Sequence, residues 1–282
     1  FLRQEGFVEV NTPKIIATAT EGGATLFPIF YYDREAFLTQ SPQLYKEQLT
    51  MAFENVFEIG PIFRAEPSRT NRHLSEATSI DVEKAYVDYN DVSEILERMI
   101  LFLWNEIKDK NKSHLEYLKI QLPDLSFPFK RYTYSDVIEK LQRSGQSIEW
   151  GDDISQQKLS KLDDEDMKLF YFITDWPTSM KPFYVRPKPT GTECESFDLM
   201  YGDLELSSGS TRIHNKDELI ERMKKQGLNI DAFDFHLKVF DYGMPPHAGF
   251  GLGLERLMMS TCGVDNIRDV VLFPRDIDRL SP

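Results

Sequence analysis

The chain has 282 residues, 41% of them hydrophobic, with 33 Lys and Arg against 46 Asp and Glu and a formal net charge of -13. That balance excludes a sequence-indifferent nucleic-acid binder, whose affinity comes from Lys and Arg on phosphates, so a nucleic-acid partner needs a local basic patch, with candidates at residues 69–72 and 181–188. The only two cysteines, Cys194 and Cys262, lack metal-ligand spacing and exclude a disulfide framework, which fits a cytoplasmic setting, and no apolar run reaches the ~20 residues needed to span a membrane.

In chain order, residues 1–6 read as the last turns of an amphipathic helix ended by Gly6, followed by a strand over 7–11 that halts at Pro13. Glu21-Gly22-Gly23-Ala24 is a glycine-rich loop with the backbone freedom of a lid. Over 56–66 the residues alternate, Phe57, Ile59, Phe63 and Ala65 toward a core and Glu58, Arg64 and Glu66 the other way. After a polar loop at 67–72 the chain returns through 76–86 with Ala77, Ser79, Asp81 and Glu83 on one face, predicting a long antiparallel hairpin. Val92, Ile95, Leu96, Met99, Ile100 and Leu103 recur at helical spacing within 91–108, so Met99 belongs to the core.

Residues 111–166 are mixed, with helical patches at 134–141 and 156–162 and no catalytic motif. Strand signals resume at 169–174 and 183–186, then form a second hairpin, 197–201 with 204–208, around Gly202-Asp203, whose leading glycine suits a type II′ turn. Helices are predicted at 217–226, 232–242 and 251–260. Strands without regular βαβ alternation predict an α+β fold, a mainly antiparallel sheet flanked by helices.

Two arginines carry the chemistry: Arg64, in Phe63-Arg64-Ala65-Glu66, and Arg256, in Gly251-Leu252-Gly253-Leu254-Glu255-Arg256. A guanidinium offers a fork of donors for phosphate oxygens and a flat cationic face for a purine, so the pair reads as an ATP site. No Gly-x-x-x-x-Gly-Lys-Ser/Thr loop occurs, and the Gly-x-Gly at Gly251 and Gly253 lacks the rest of a dinucleotide fingerprint. A Gly202-Asp203 loop pairs Tyr201 with Leu204, Met200 with Glu205 and Asp198 with Ser207, which puts Asp198 and Glu205 on one face. Two such carboxylates are solvated surface acids when taken alone; beside two phosphate-type arginines they become candidate Mg2+ ligands. Lys46 and Arg212, like His73 and His214, are surface or structural side chains when viewed singly, in motif-like settings.

Gly6-Phe7-Val8-Glu9-Val10-Asn11-Thr12-Pro13, then Phe63-Arg64-Ala65-Glu66 with Arg72-His73, then the segment from Gly251 to Arg256 resemble, in order, motifs 1, 2 and 3 of the class II aminoacyl-tRNA synthetases. Residues 40–46, 207–214 and 266–275 are similar to the aspartyl-tRNA synthetases of subclass b, and the short interval between motifs 2 and 3 resembles the archaeal and eukaryotic type. The resemblance implies a class II catalytic domain over 1–282, with motif 1 at about 1–15, motif 2 at about 56–87 and motif 3 at about 247–260, and an N-terminal anticodon-binding domain not contained in this chain. It implies a homodimer built around Pro13, aspartate and tRNA (aspartate, possibly asparagine) as partners, ATP and Mg2+ as cofactors, and no membrane.

The resemblance further implies that Arg64 contacts the α-phosphate and the substrate carboxylate, and that Glu66, Arg72, His73, Glu205, Gly253 and Arg256 serve the nucleotide. Glu21, Ser41, Gln43, Lys46, Asp81, Ser208 and Arg212 surround the amino acid, and Asp198, Glu205 and Ser208 hold the metal. Simple alternation puts Ser207 rather than Ser208 on the metal face, which a β-bulge would reconcile. Ala77 stands where some members carry an adenine-stacking aromatic. The reaction implied is aspartyl-adenylate formation followed by transfer to the 3′ end of tRNA. An asparaginyl-tRNA synthetase and an ammonia-dependent asparagine synthetase are the alternatives, and two cations in the side-chain pocket, Lys46 and Arg212, favour a carboxylate over an amide.

Overall fold

The computed structural model describes residues 1–17 and 25–282. Its strands are β1 (Val8–Glu9), β2 (Ile15–Ile16), β3 (Pro28–Tyr31), β4 (Arg34–Leu38), β5 (Asn55–Phe63), β6 (Glu76–Ala85), β7 (Lys130–Thr133), β8 (Phe170–Thr174), β9 (Ser196–Tyr201), β10 (Leu204–Thr211) and β11 (His247–Gly253). The helices are α1 (Gln43–Phe53), α2 (Tyr89–Lys110), α3 (Lys112–Leu118), α4 (Tyr134–Arg143), α5 (Gln156–Leu159), α6 (Lys216–Lys225), α7 (Asp234–Phe240) and α8 (Leu254–Cys262). None is long and apolar enough to cross a membrane.

Eight strands form one sheet in the order β1-β5-β6-β11-β10-β9-β8-β7. The six central strands run antiparallel, and only the edge pairs β1·β5 and β7·β8 are parallel. This is the α+β arrangement expected. β2, β4 and β3 make a separate small sheet that the sequence reading did not anticipate.

Alternation sorts the central strands into an apolar and a polar face. On β11, Ala248, Phe250 and Leu252 are fully buried and join α2 residues Val92, Leu96, Ile100 and Trp104 in one core. Helix α2 starts where Asp88 accepts hydrogen bonds from the backbone of Asn90 and Asp91 while Asp91 caps back, a reciprocal box that satisfies free helical N–H groups. Gly249, Gly251 and Gly253 alternate with the apolar residues on β11. A second core packs α4, α6 and α7 against Tyr171, Ile173 and Met200.

Several expectations need correction. Residues 251–253 are strand, not helix; α8 starts at Leu254, and the period-2 pattern of Ala248, Phe250 and Leu252 was a strand signal overlooked beside the motif. Residues 183–186 form no strand, only an isolated bridge between Val185 and Arg212. Ile59 is 47% exposed rather than core. Residues 1–6 fit a helix end: Phe7 N–H donates to the Leu2 carbonyl and Gly6 N–H to that of Arg3, with Gly6 at φ +83°, the geometry of a glycine terminator.

Candidate active site

A cavity of about 670 Å³ opens over the polar face of β6, β10 and β11, within the range of small-molecule sites. Ser41, Gln43, Arg64, Glu66, Arg72, His73, Asp81, Glu205, Ser208, Arg212, Gly253 and Arg256 all line it, drawn together from opposite ends of the chain. Glu21, the remaining lid residue of the expected set, lies outside the described residues. Asp198 lines an adjoining cavity of about 370 Å³ that shares Arg72, His73, Glu205 and Arg256 with the first.

Arg64 follows directly on β5 and stays exposed, its backbone N–H donating to Ser75 across the hairpin. Arg256 reaches back from α8 to the β10 backbone, donating from Nη1 to the Glu205 carbonyl at 2.9 Å, with Nη2 3.4 Å from His73 Nε2. Burial and then the two arginines depress the pKa of His73, so at neutral pH it is an uncharged acceptor and donor beside two cations. The Thr78 N–H is taken by Glu255, whose carboxylate accepts it at 2.9 and 3.0 Å, tying α8 to the β6 strand. Glu66 accepts from Gln40 Nε2 at 3.2 Å, and Arg72 pairs with Asp203 at 3.0 Å.

The metal candidates are set by a bulge. Gly202 takes φ +57° while Asp203 stays in the ordinary region, as a type II′ turn requires. Leu204 faces Tyr201 and Glu205 faces Met200, but then the register slips, so that Ser208, not Ser207, sits opposite Asp198. Glu205 and Ser208 therefore share the Asp198 face, as the bulge reading anticipated, and Ser207 is buried with an unpartnered Oγ among the described residues. Burial raises the pKa of Glu205, and the neighbouring Asp198 carboxylate raises it further, against the pull of Arg256, Lys181 and Arg64. No group of three His, Cys, Asp or Glu arranged to hold a metal ion occurs among the described residues. Two carboxylates and a hydroxyl suit Mg2+, which takes one or two carboxylates and keeps several waters. The Asp198 carboxylate already chelates a cation: Lys181 Nζ lies 2.8 and 2.9 Å from its two oxygens.

At the inner end of the cleft lies a buried charge network. Lys46 Nζ sits 2.9 Å from Asp81 Oδ1 and 3.4 Å from Glu83 Oε2, and also donates to the Phe250 carbonyl at 3.1 Å. Arg212 clamps Glu83 with Nε at 2.9 Å and Nη2 at 3.2 Å and donates from Nη1 to Ser210 at 2.5 Å. Arg212 lines the cavity, whereas Lys46 does not. Two carboxylates and a carbonyl hold the Lys46 ammonium behind Asp81. Ser41 Oγ accepts from the Gln43 N–H at 3.0 Å at the start of α1, and Gln43 Nε2 donates to Glu47 at 2.6 Å.

The sequence reading missed this back wall. Glu47 lies 3.4 Å from His236 and 3.7 Å from His247, all three fully buried. Burial alone would lift the Glu47 carboxyl, but the two histidines hold it well below the usual carboxylate range, and Glu47 and Glu83 hold His247 above its ordinary value despite burial. Only their spacing in the sequence, Glu47 next to Lys46 and His247 at the head of β11, hinted at this. Residues of both candidate basic patches carry ion pairs: Arg69 with Asp278, Arg72 with Asp203, Lys181 with Asp198, and Lys188 with Asp175 and Glu193.

The family model for class II tRNA synthetases (D, K and N) matches residues 1–277. The chain is 54% identical to the aspartate–tRNA(Asp/Asn) ligase of Archaeoglobus fulgidus, covering all of this chain and 66% of that protein, and 50% identical to the ligase of the same name from Sulfurisphaera tokodaii, with the same shares. Among solved structures it resembles asparaginyl-tRNA synthetase from Pyrococcus horikoshii complexed with asparaginyl-adenylate, with a TM-score of 0.93 and 34% identity over 100% of this chain and 66% of that one. It also resembles aspartyl-tRNA synthetase from Entamoeba histolytica, with a TM-score of 0.86 and 35% identity over 100% of this chain and 56% of that one. The chain thus spans just under two thirds of the length of these curated relatives.

Proposed function

The chain belongs to the class II tRNA synthetases (D, K and N), and from that premise we propose that it is the catalytic portion of an aspartate–tRNA ligase, which joins aspartate to ATP and passes the aspartyl group to the 3′ end of tRNA. One observation carries the choice of aspartate. Arg212 is fixed in the cavity wall by Glu83, yet among the described residues only three of its five N–H groups are engaged. Its free donors suit a side-chain carboxylate, for which the guanidinium fork is matched.

In this reading no side-chain nucleophile is needed. The amino acid's own carboxylate attacks the α-phosphorus, and Arg64 orients both while Arg256 and His73 hold the nucleotide. Asp198, Glu205 and Ser208 would hold Mg2+, which neutralises developing phosphate charge when bound. Glu66 and Gly253 line the nucleotide side, Ser41, Gln43 and Asp81 the amino-acid side, and Lys46 acts through Asp81. Pairing of two copies across the motif 1 segment is part of the proposal: Asn11, Thr12 and Pro13 border a cavity with Tyr45, Leu49 and Tyr242, and Val8 and Ile15 are exposed nearby in the chain. Sedimentation giving only a monomer at micromolar concentration would remove that part.

An asparaginyl enzyme is the second reading. Lys46 and Arg212 against Asp81 and Glu83 sum to zero charge, so a neutral amide would leave no net charge buried there. ATP–pyrophosphate exchange decides between them. Aspartate is expected to support exchange with asparagine about a hundredfold poorer or worse, since a site built around one polar group rejects its analogue strongly; faster exchange with asparagine would replace the first reading by the second.

A further inference from the structure

Lys181, outside every motif, has the position that a bound cation would contest. Its ammonium lies 2.8 and 2.9 Å from the two oxygens of Asp198 and 3.4 Å from Ser208 Oγ, two of the three residues read above as metal ligands. The same ammonium sits 4.6 Å from the centre of the Trp176 ring, a cation–π contact that helps to hold it there. Lys181 lines the main cavity while Asp198 lines only the adjoining one, so the lysine stands between the carboxylate and the space assigned to the nucleotide.

The backbone behind it is tethered. The Lys181 carbonyl accepts from Arg222 Nη2 at 3.3 Å and from Gln226 Nε2 at 3.0 Å, and the same Arg222 nitrogen holds the Thr178 carbonyl at 2.6 Å. The loop is thus fastened to α6 and its C-cap, and only the four-carbon side chain has freedom to swing.

We propose that Lys181 is a built-in counter-cation of the nucleotide-free cleft: a divalent ion binding Asp198 displaces its ammonium, which then turns into the main cavity as a third cation for the polyphosphate beside Arg64 and Arg256. The proposal rests on the metal reading of Asp198, Glu205 and Ser208. An Mg2+ ion at its ordinary ~2.1 Å from the same oxygens would lie almost in contact with the ammonium, and like charges at that range repel too strongly to share one carboxylate. Lysine suits exchange better than arginine, being a compact point charge on a flexible stem.

The test is Mn2+ binding to the nucleotide-free protein, followed by the electron-paramagnetic signal of the unbound ion. Removing the competitor in K181M is expected to tighten Mn2+ binding about tenfold, while K181R, which keeps the competing charge, does not tighten it. Circular dichroism of both variants, with K181Q as a second neutral replacement, checks that the fold is retained. Mg2+ alone should change the Trp176 fluorescence of the wild type, identified by difference from W176F, and leave that of K181M unchanged. Equal Mn2+ affinities in the wild type, K181M and K181Q would overturn the role of Lys181 while leaving the metal site standing. No Mn2+ binding by any form, with or without ATP, would overturn the metal reading and the proposal together.

Discussion

Glu83 and Arg212 meet as a two-point ion pair, Nε to Oε1 at 2.9 Å and Nη2 to Oε2 at 3.2 Å, with both side chains almost wholly removed from solvent. The pair bridges β6 to the end of β10 across β11 and holds the inner wall of the cleft. Glu83 also faces Lys46, so a single carboxylate balances parts of two cations.

Replacing Glu83 by Gln should therefore lower stability by about 3–5 kcal/mol, the cost of leaving buried charge without its partner. Urea unfolding of the variant measures it. An unchanged midpoint would mean that water or a rearranged Asp81 compensates. Lys46→Met should lower stability in the same way and weaken aspartate binding more than ATP binding, because it leaves Asp81 and Glu83 facing each other at the amino-acid end.

Two glycines on β11 should respond oppositely. A Cβ on Gly249 would clash with Glu83 Oε2 and the Val82 carbonyl, so Gly249→Ala must displace the buried pair or the strand. A Cβ on Gly253 meets nothing closer than 3.8 Å, the Arg256 side chain. Gly249→Ala is expected to lose more than about 3 kcal/mol or fail to express. Gly253→Ala should fold normally and raise the KM for ATP, which thermal melts and exchange kinetics together would reveal.

The Glu47–His247 contact predicts a pH profile for stability. A lowered carboxyl contributes fully above its unfolded value of 4.5 and loses the contribution as pH falls through the native one. A raised histidine contributes fully below its unfolded value of 6.5 and loses the contribution as pH rises through the native one. This cluster is therefore most stabilising between about pH 4.5 and 6.5 and weakens above. His247→Gln should remove the decline on the alkaline side; melting temperatures from pH 5 to about 9 in both proteins test this, and parallel curves would contradict the assignment.

Arg256→Gln should leave the melting temperature nearly unchanged and reduce pyrophosphate exchange by about 10²–10³-fold, the scale of losing one preorganised charged donor. Its contacts with the Glu205 carbonyl and His73 are surface-accessible hydrogen bonds rather than core packing, so a large stability loss would assign it a structural role instead.

The sequence by itself determined the alternating strands of the two long hairpins and a helix over 91–108, which the structure extends to 89–110, and it marked the two arginines that line the cleft, because period, turn residues and side-chain chemistry are local properties. Asp81, Glu83 and Ser79 fell on one face for the same reason. It did not yield the strand 247–253, where three glycines deplete the usual β signal although Ala248, Phe250 and Leu252 keep the period. Nor did it yield the small sheet, whose two-residue β2 and short β3 and β4 carry too few residues for a pattern to register.

What only the tertiary structure decided is which charges are spent. Lys46 and Arg212 read alike in the sequence, yet one is enclosed by Asp81, Glu83 and a carbonyl while the other keeps donors at the cavity wall. Asp198 likewise needed the slip at Leu206 to face Ser208, and Lys181 to be found against it. Ion pairing of this kind depends on partners 17 to 129 positions away, set by sheet order and register. A linear pattern carries no record of which donor reaches which acceptor once the strands are paired.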